Sequence, residues 1–206
     1  MSTTDAAAFW NGLYAGRPAP GDPQPNATLP EAVAGLPPGA ALDLGCGQGG
    51  DALWLARRGW RVTAVDVSPV AVDRLAGLAA AHGVAGRIEA ERHDLRETFP
   101  GGVFDLVCAH YLHTPFPLDR AAVLRAAAHA LRPGGRLLVV DHGSAAPWSW
   151  DQDARFPSPQ EVAADLALDV GRWAVERAAA ERRTATGPGG LTAEVTDHVL
   201  VVRRAD

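Results

Sequence analysis

The chain has no lysine at all: each of its 19 basic residues is arginine. With its heavy use of Ala, Gly and Pro, this reads as a genomic composition bias rather than as function. Cysteine is nearly absent. The two present, Cys46 and Cys108, fall in buried or ligand-facing positions without disulfide-like spacing, so a reducing cytoplasm is the expected compartment. No apolar run approaches the roughly 20 residues that a membrane-spanning helix needs. The opening MSTTDAAAFWNG has no basic region leading into an apolar stretch, so a signal peptide is not expected. A basic excess is missing too. A net charge of −5 speaks against a nucleic-acid substrate, because phosphate binding wants a basic face. Repeats and long disordered tails are absent. What remains is 206 residues, 47% hydrophobic and 21% charged, enough for one core. The reading is a single domain, with 1–39 as an N-terminal cap segment and 40–206 as the core.

The most informative stretch is Ala41 to Gly50, ALDLGCGQGG. An apolar run that breaks into alternate glycines reads as a buried parallel strand feeding a tight turn and then a helix. Bare backbone at such a turn lets a ligand approach closely. Asp51 to Arg58 has helical spacing, Arg61 to Val65 is a second apolar strand, and Asp66 stands at its end. A carboxylate there, roughly 20 residues after the glycine turn, is where nucleoside-binding α/β folds grip a ribose diol. Gly45, Gly47 and Gly50 also satisfy the dinucleotide spacing G-x-G-x-x-G. Asp43, two positions before the first glycine, is expected to face the pocket, repel a pyrophosphate and suit a cationic ligand.

Strands and helices then alternate. Strands are expected at 41–44, 61–65, 87–92, 104–109 and 135–141, and helices at 50–58, 69–82 and 119–131. This is the pattern of a parallel sheet covered on both faces. Before it lie a helix over 5–15, a Pro- and Gly-dense irregular segment from Gly16 to Pro25, and a helix from Thr28 to Gly35. After it come a helix around 159–168 and two β-compatible segments, Arg172 to Thr184 and Thr192 to Arg203, joined by the turn Thr186 to Gly190. That hairpin predicts an antiparallel end to the sheet.

The motifs D-L-G-C-G-Q-G (Asp43 to Gly49), V-D-V-S (Val65 to Ser68), H-D-L (His93 to Leu95), F-D-L-V (Phe104 to Val107) and L-R-P-G-G (Leu131 to Gly135) stand in the order seen in class I S-adenosylmethionine-dependent methyltransferases. The chain resembles that family from about Trp10 onward, and its layout is most similar to the small tellurite-resistance and thiopurine type. The resemblance implies a doubly wound, mostly parallel seven-stranded α/β sheet with a C-terminal antiparallel hairpin. It implies S-adenosylmethionine as cofactor and a small soluble methyl acceptor, with neither nucleic acid nor membrane as partner. Cofactor contacts are then expected from Trp10, Tyr14, Asp43, Gly45, Cys46, Gly47, Asp66, Val67, Asp94, Leu95 and Ala109. Trp10 and Tyr14 would fold over the cofactor, and Asp94 would accept from the adenine amino group.

His110 and His113 follow the fourth strand and His142 the fifth, so all three are expected near the acceptor. His110 and His113 are the candidate catalytic residues, and Tyr111, His142 and Trp148 the candidate acceptor contacts. A proton-accepting imidazole suits work near neutral pH. The spacing is too loose to assign a metal. Trp148, Trp150 and Phe156 either form an apolar lid or pack on the sheet edge. His82, His129 and His198 are expected away from the site. Two other functions stay open on the sequence: a nicotinamide-dependent oxidoreductase, and a non-catalytic cofactor-binding protein on the same fold. The acceptor atom and the oligomeric state are not readable.

Overall fold

The computed structural model describes residues 3–149 and 151–206. Helix α1 (Thr3–Ala15) and the short α2 (Leu29–Ala32) precede the core. The core runs β1 (Ala40–Leu44), α3 (Gly50–Arg57), β2 (Arg61–Asp66), α4 (Pro69–Ala81), β3 (Ile88–Arg92), β4 (Phe104–His110), α5 (Arg120–His129), β5 (Leu131–His142), α6 (Pro159–Leu166), β6 (Trp173–Thr186) and β7 (Thr192–Arg204). The seven strands form one sheet in the order β3-β2-β1-β4-β5-β7-β6. Pairing is parallel from β3 to β5 and antiparallel where β7 meets β5 and β6. This is the doubly wound sheet with a terminal hairpin that the sequence predicts. The order of strands reverses beside β1, and in open α/β sheets ligands bind outside the carboxyl ends of the strands at such a reversal.

Alternation along the strands builds a core on each face. Leu42, Leu44, Val107, Val139 and Leu200 pack under α5 and α6. Ala41, Ala64, Leu106, Cys108 and Val140 pack under α3 with Leu29 and Leu75. Helix α4 opens with Pro69 in its first turn and Ser68 Oγ accepting from Ala71 N. Helix α6 carries a full Ser158–Glu161 capping box, which satisfies two otherwise orphaned amides.

Two boundaries differ from expectation by more than two residues. Helix α2 spans four residues instead of eight; the chain leaves the helix at Val33 and turns at Gly35, whose φ is +80°. Strand β5 begins at Leu131, not at residue 135. Leu131 pairs with Phe104, the register then shifts, and Arg136 pairs with Leu106, so the Pro-Gly-Gly stretch bulges within the strand instead of separating it from α5. Among the described residues no helix is long and apolar enough to cross a membrane.

Candidate active site

The carboxyl ends of β1, β2 and β4 open onto a cavity of about 520 Å³, an ordinary size for a small-molecule site. Its floor is the glycine turn. The amides of Gly45 and Cys46 both donate to Val65 O, at 2.8 and 2.9 Å, and this clamps the turn to the end of β2. Gly45 has φ +72°, and a Cβ there would stand 2.9 Å from Leu112 Cδ1. Asp66 lines the cavity beside the turn. Its Oδ2 accepts from Gly47 N at 3.0 Å and its Oδ1 from Ser68 N at 2.9 Å. Burial lifts the Asp66 carboxyl above the usual carboxylate range, although the amides of Ser68, Gly47 and Val67 pull it down.

Val67, Asp94 and Leu95 form the next part of the wall. Arg96 grips Asp94 with two bonds, Nε to Oδ1 at 2.9 Å and Nη2 to Oδ2 at 2.7 Å. That guanidinium holds the Asp94 carboxyl below its ordinary range.

The N-terminal segment closes the cavity. Trp10 and Tyr14 stack at 5.9 Å and both line it. Helix α1 is tied to α4 by Ser68 Oγ donating to Asn11 Oδ1 and by Arg74 Nη1 donating to Tyr14 O, each at 2.6 Å. The irregular segment that follows supplies Pro20, Pro23, Gln24, Pro25 and Asn26 to the wall, a strap the sequence reading treated only as irregular chain. One signal for it was Gly50. A Cβ there would sit 2.2 Å from Gln24 O, so this glycine makes room for the strap's backbone.

Asp43 corrects an expectation. It is 2% exposed and lies beneath the floor, not in the cavity wall, because strand alternation turns it with Ala41 toward α3. Its Oδ2 is buried without a partner. Burial, with the charges of Asp51 and Asp66, pushes its carboxyl well above the ordinary range. Three carboxylates thus gather under and around the glycine turn. Asp51, which the sequence reading did not single out, also lines the cavity. It bonds His110: Oδ2 lies 2.7 Å from Nδ1.

Beyond β4 the wall continues with His110, Tyr111, Leu112 and His113. Tyr111 has φ +50°, a left-handed conformation that costs a bulky residue about 1–3 kcal/mol. Its hydroxyl donates to Asp197 Oδ2 at 2.7 Å, and Arg183 donates to both the hydroxyl and Asp197. Burial and the bond to Asp197 push the hydroxyl's pKa up to about 12. Behind Tyr111 its ring stacks on His142 at 4.4 Å, and His113 stacks on the same imidazole at 5.9 Å. Burial and the charge of His113 lower the pKa of His142, which favours a neutral ring in this stack. His113 Nε2 lies 3.3 Å from Asp141, to which Arg120 donates at 2.6 Å.

Three further site residues need correcting. His142 stands behind the wall in that stack, Ala109 is fully buried in the core, and neither lines the cavity. Trp148 is no lid over the cavity. Its ring lies on Gly187 at the β6–β7 turn, where a Cβ would be 2.3 Å away. Phe156 meets His142 edge-on. Trp150 falls outside the described residues. His82 bonds Gly21 O, His129 packs against Trp173, and His198 bonds Pro157 O. Both cysteines are buried free thiols. Among the described residues no three His, Cys, Asp or Glu side chains stand together as a metal site.

Residues 41–135 match a family described as a methyltransferase domain. That stretch carries the glycine turn, Asp66, Asp94, His110 and His113. A ubiquinone biosynthesis O-methyltransferase of Xylella fastidiosa is 44% identical over 101 residues, 48% of this chain and 39% of that protein. The chain therefore spans about two fifths of the length of the curated relative it matches. A solved structure concerned with converting a disulfide bond into a thioacetal group during echinomycin biosynthesis is 27% identical. It superposes with a TM-score of 0.72 over 97% of this chain and 91% of that one. TehB from Haemophilus influenzae shares the fold, with a TM-score of 0.68 and 17% identity over 88% of this chain and 63% of its own. The matched segment is similar to a methyltransferase domain, and S-adenosylmethionine is the cofactor that this similarity indicates. The residues present fit that molecule: the carboxylates of Asp51 and Asp66 line the cavity beside the bare-backbone turn and suit a ligand carrying a sulfonium and an ammonium.

Proposed function

We propose that the chain transfers the methyl group of S-adenosylmethionine to a small-molecule nucleophile, in the manner of the small tellurite-resistance and thiopurine type of methyltransferase, and does so in the reducing cytoplasm. The observation that carries this is the gathering of Asp43, Asp51 and Asp66 around a bare-backbone turn at the strand-order reversal. The same carboxylates disfavour a dinucleotide pyrophosphate.

When bound, the cofactor supplies a methyl carbon already activated by its sulfonium. In this reading Asp66 accepts from the ribose hydroxyls and Val67 and Leu95 flank the adenine, while Asp94 accepts from its amino group through whatever capacity Arg96 leaves free. Asp51 fields the ammonium, and Trp10 and Tyr14 cover the ligand from α1. The protein's remaining task is to align the nucleophile and exclude water, which the strap and α1 do by closing the cavity. The acceptor enters beside His110, Tyr111 and His113. A net charge of −5 and a cavity of about 520 Å³ favour a small solute over a nucleic acid.

The test is mass spectrometry of ligand co-purifying with the protein, followed by transfer of isotopically labelled methyl to a panel of thiols, phenols, amines, halides and chalcogen oxyanions. Label appearing in one acceptor class supports the proposal. Cofactor binding with no labelled product from any class supports a regulatory role instead.

A further inference from the structure

We propose that Asp51 and His110 form a general-base dyad, in which His110 Nε2 takes the proton of a hydroxyl acceptor and Asp51 is the positioning residue. This rests on the methyltransferase reading above and narrows it to acceptors that arrive as neutral hydroxyls.

The geometry assigns the proton on the ring. A carboxylate only accepts hydrogen bonds, so Asp51 Oδ2, 2.7 Å from His110 Nδ1, requires the hydrogen to sit on Nδ1. In the neutral ring Nε2 is then left with its lone pair. That atom is buried and has no partner, in a side chain only 5% exposed whose residue lines the cavity. Leaving such a nitrogen unpaired is costly, and a donor arriving in the cavity removes that cost. The other Asp51 oxygen, Oδ1, accepts from Asn26 N of the strap at 2.6 Å. Both carboxylate oxygens are engaged, so the ring is held in one tautomer and one orientation.

The step balances. The hydroxyl oxygen forms a bond to the methyl carbon while the methyl–sulfur bond breaks, its electron pair staying on sulfur as a neutral thioether. The hydroxyl proton passes to Nε2. One positive charge stands on sulfur before and one on the imidazolium after, where Asp51 offsets it, and the proton leaves to water when the product departs. A hydroxyl is the acceptor that needs this help, because methylation without proton loss would leave an oxonium. A thiolate or halide brings no proton, and a methylated amine is a stable ammonium.

Asp51→Asn tests the dyad. Asn26 N–H still requires an acceptor, so the amide oxygen of the new side chain stays there and its nitrogen faces His110. That nitrogen donates to Nδ1 and drives the ring proton to Nε2. The ¹⁵N shifts of the His110 ring in the cofactor-free protein should report the Nδ1–H tautomer in the wild type and the Nε2–H tautomer in the variant. With catechol as acceptor, the variant's kcat should fall about 10²–10⁴-fold with little change in KM. At saturating cofactor, which offsets any loss of affinity at the ammonium, turnover of thiophenolate, which needs no base, should fall far less. If Asp51→Asn does not fold, His110→Ala replaces it, and added imidazole should then restore catechol turnover. The dyad is overturned by a wild-type ring protonated on Nε2, by catechol turnover that survives Asp51→Asn, or by equal losses with both acceptors. Wild-type turnover of thiophenolate but not catechol overturns the hydroxyl assignment. A wild type that does not bind S-adenosylhomocysteine overturns the methyltransferase reading itself, and the tautomer measurement, which needs neither cofactor nor acceptor, still decides the dyad.

Discussion

The two ends of the cavity are built in different ways. At β1 and β2 the site is backbone: two amides clamped to Val65 O, a left-handed Gly45, and Asp66 held by the amides of Gly47 and Ser68. At β4 and β5 it is side chains reaching across the fold, with Asp51 on His110, Asp197 and Arg183 on Tyr111, and Arg120 and His113 on Asp141. A backbone-built site holds a group common to every turnover, while a network of side chains can be retuned to fit a particular acceptor.

The contrast is open to experiment. The largest effect is expected at the first end. A charged acceptor making two hydrogen bonds of about 1.5–3 kcal/mol each implies that Asp66→Ala weakens S-adenosylhomocysteine binding by roughly 10²–10⁴-fold, read by calorimetry on folded protein. An unchanged dissociation constant would remove Asp66 from the ribose site.

At the other end the first effect is on stability. Arg120→Ala leaves the buried Asp141 carboxylate with His113 alone, and breaking a buried pair costs about 3–5 kcal/mol. A melting temperature lower by roughly 6–20 °C is expected at neutral pH. Burial pushes the Asp141 carboxyl up, but His113 and Arg120 outweigh it and hold it below the ordinary value. A carboxyl lowered in the folded state stabilises fully above its unfolded pKa of about 3.9. That contribution is lost as pH falls through the lower folded value. Without Arg120 the variant's Asp141 carboxyl titrates at a higher pH, so the gap begins to narrow as pH falls through that raised value and closes only in strong acid, below the wild type's lowered one. A gap that closes already near pH 6 would contradict this.

The same division decides what the sequence reveals. The alternation of strands and helices, the hairpin turn, the Ser68 cap and the glycine turn are legible because each depends on residues within a few positions of one another, whereas the seven-stranded sheet follows only from the family resemblance. Gly45 and Asp66 announce themselves by spacing. Asp51 does not, since its partners are 25 and 59 residues away. The strap carries no periodicity, so its Pro and Gly residues predict irregular chain but not that it closes a cavity. Asp43 was misplaced because the motif fixes its position along β1 and strand alternation fixes its face, and that face is the one beneath α3. Trp148 was as compatible with a lid as with packing, and the contact that settles it, the bare Cα of Gly187, is 39 residues on.

The smallest effect expected is at Tyr111. Tyr111→Phe removes the hydroxyl bonds to Asp197 and Arg183, while Arg183 still pairs Asp197. About 1 kcal/mol of stability should be lost, with acceptor KM changed and S-adenosylhomocysteine affinity untouched. A change in cofactor affinity would mean that the two ends are not separable.

The most direct measurement is calorimetric titration of the wild-type protein with S-adenosylhomocysteine and, separately, with a nicotinamide dinucleotide. Carboxylates at Asp51 and Asp66 beside the glycine turn predict binding of the first and none of the second. Binding of the dinucleotide alone would contradict the methyltransferase reading at its root.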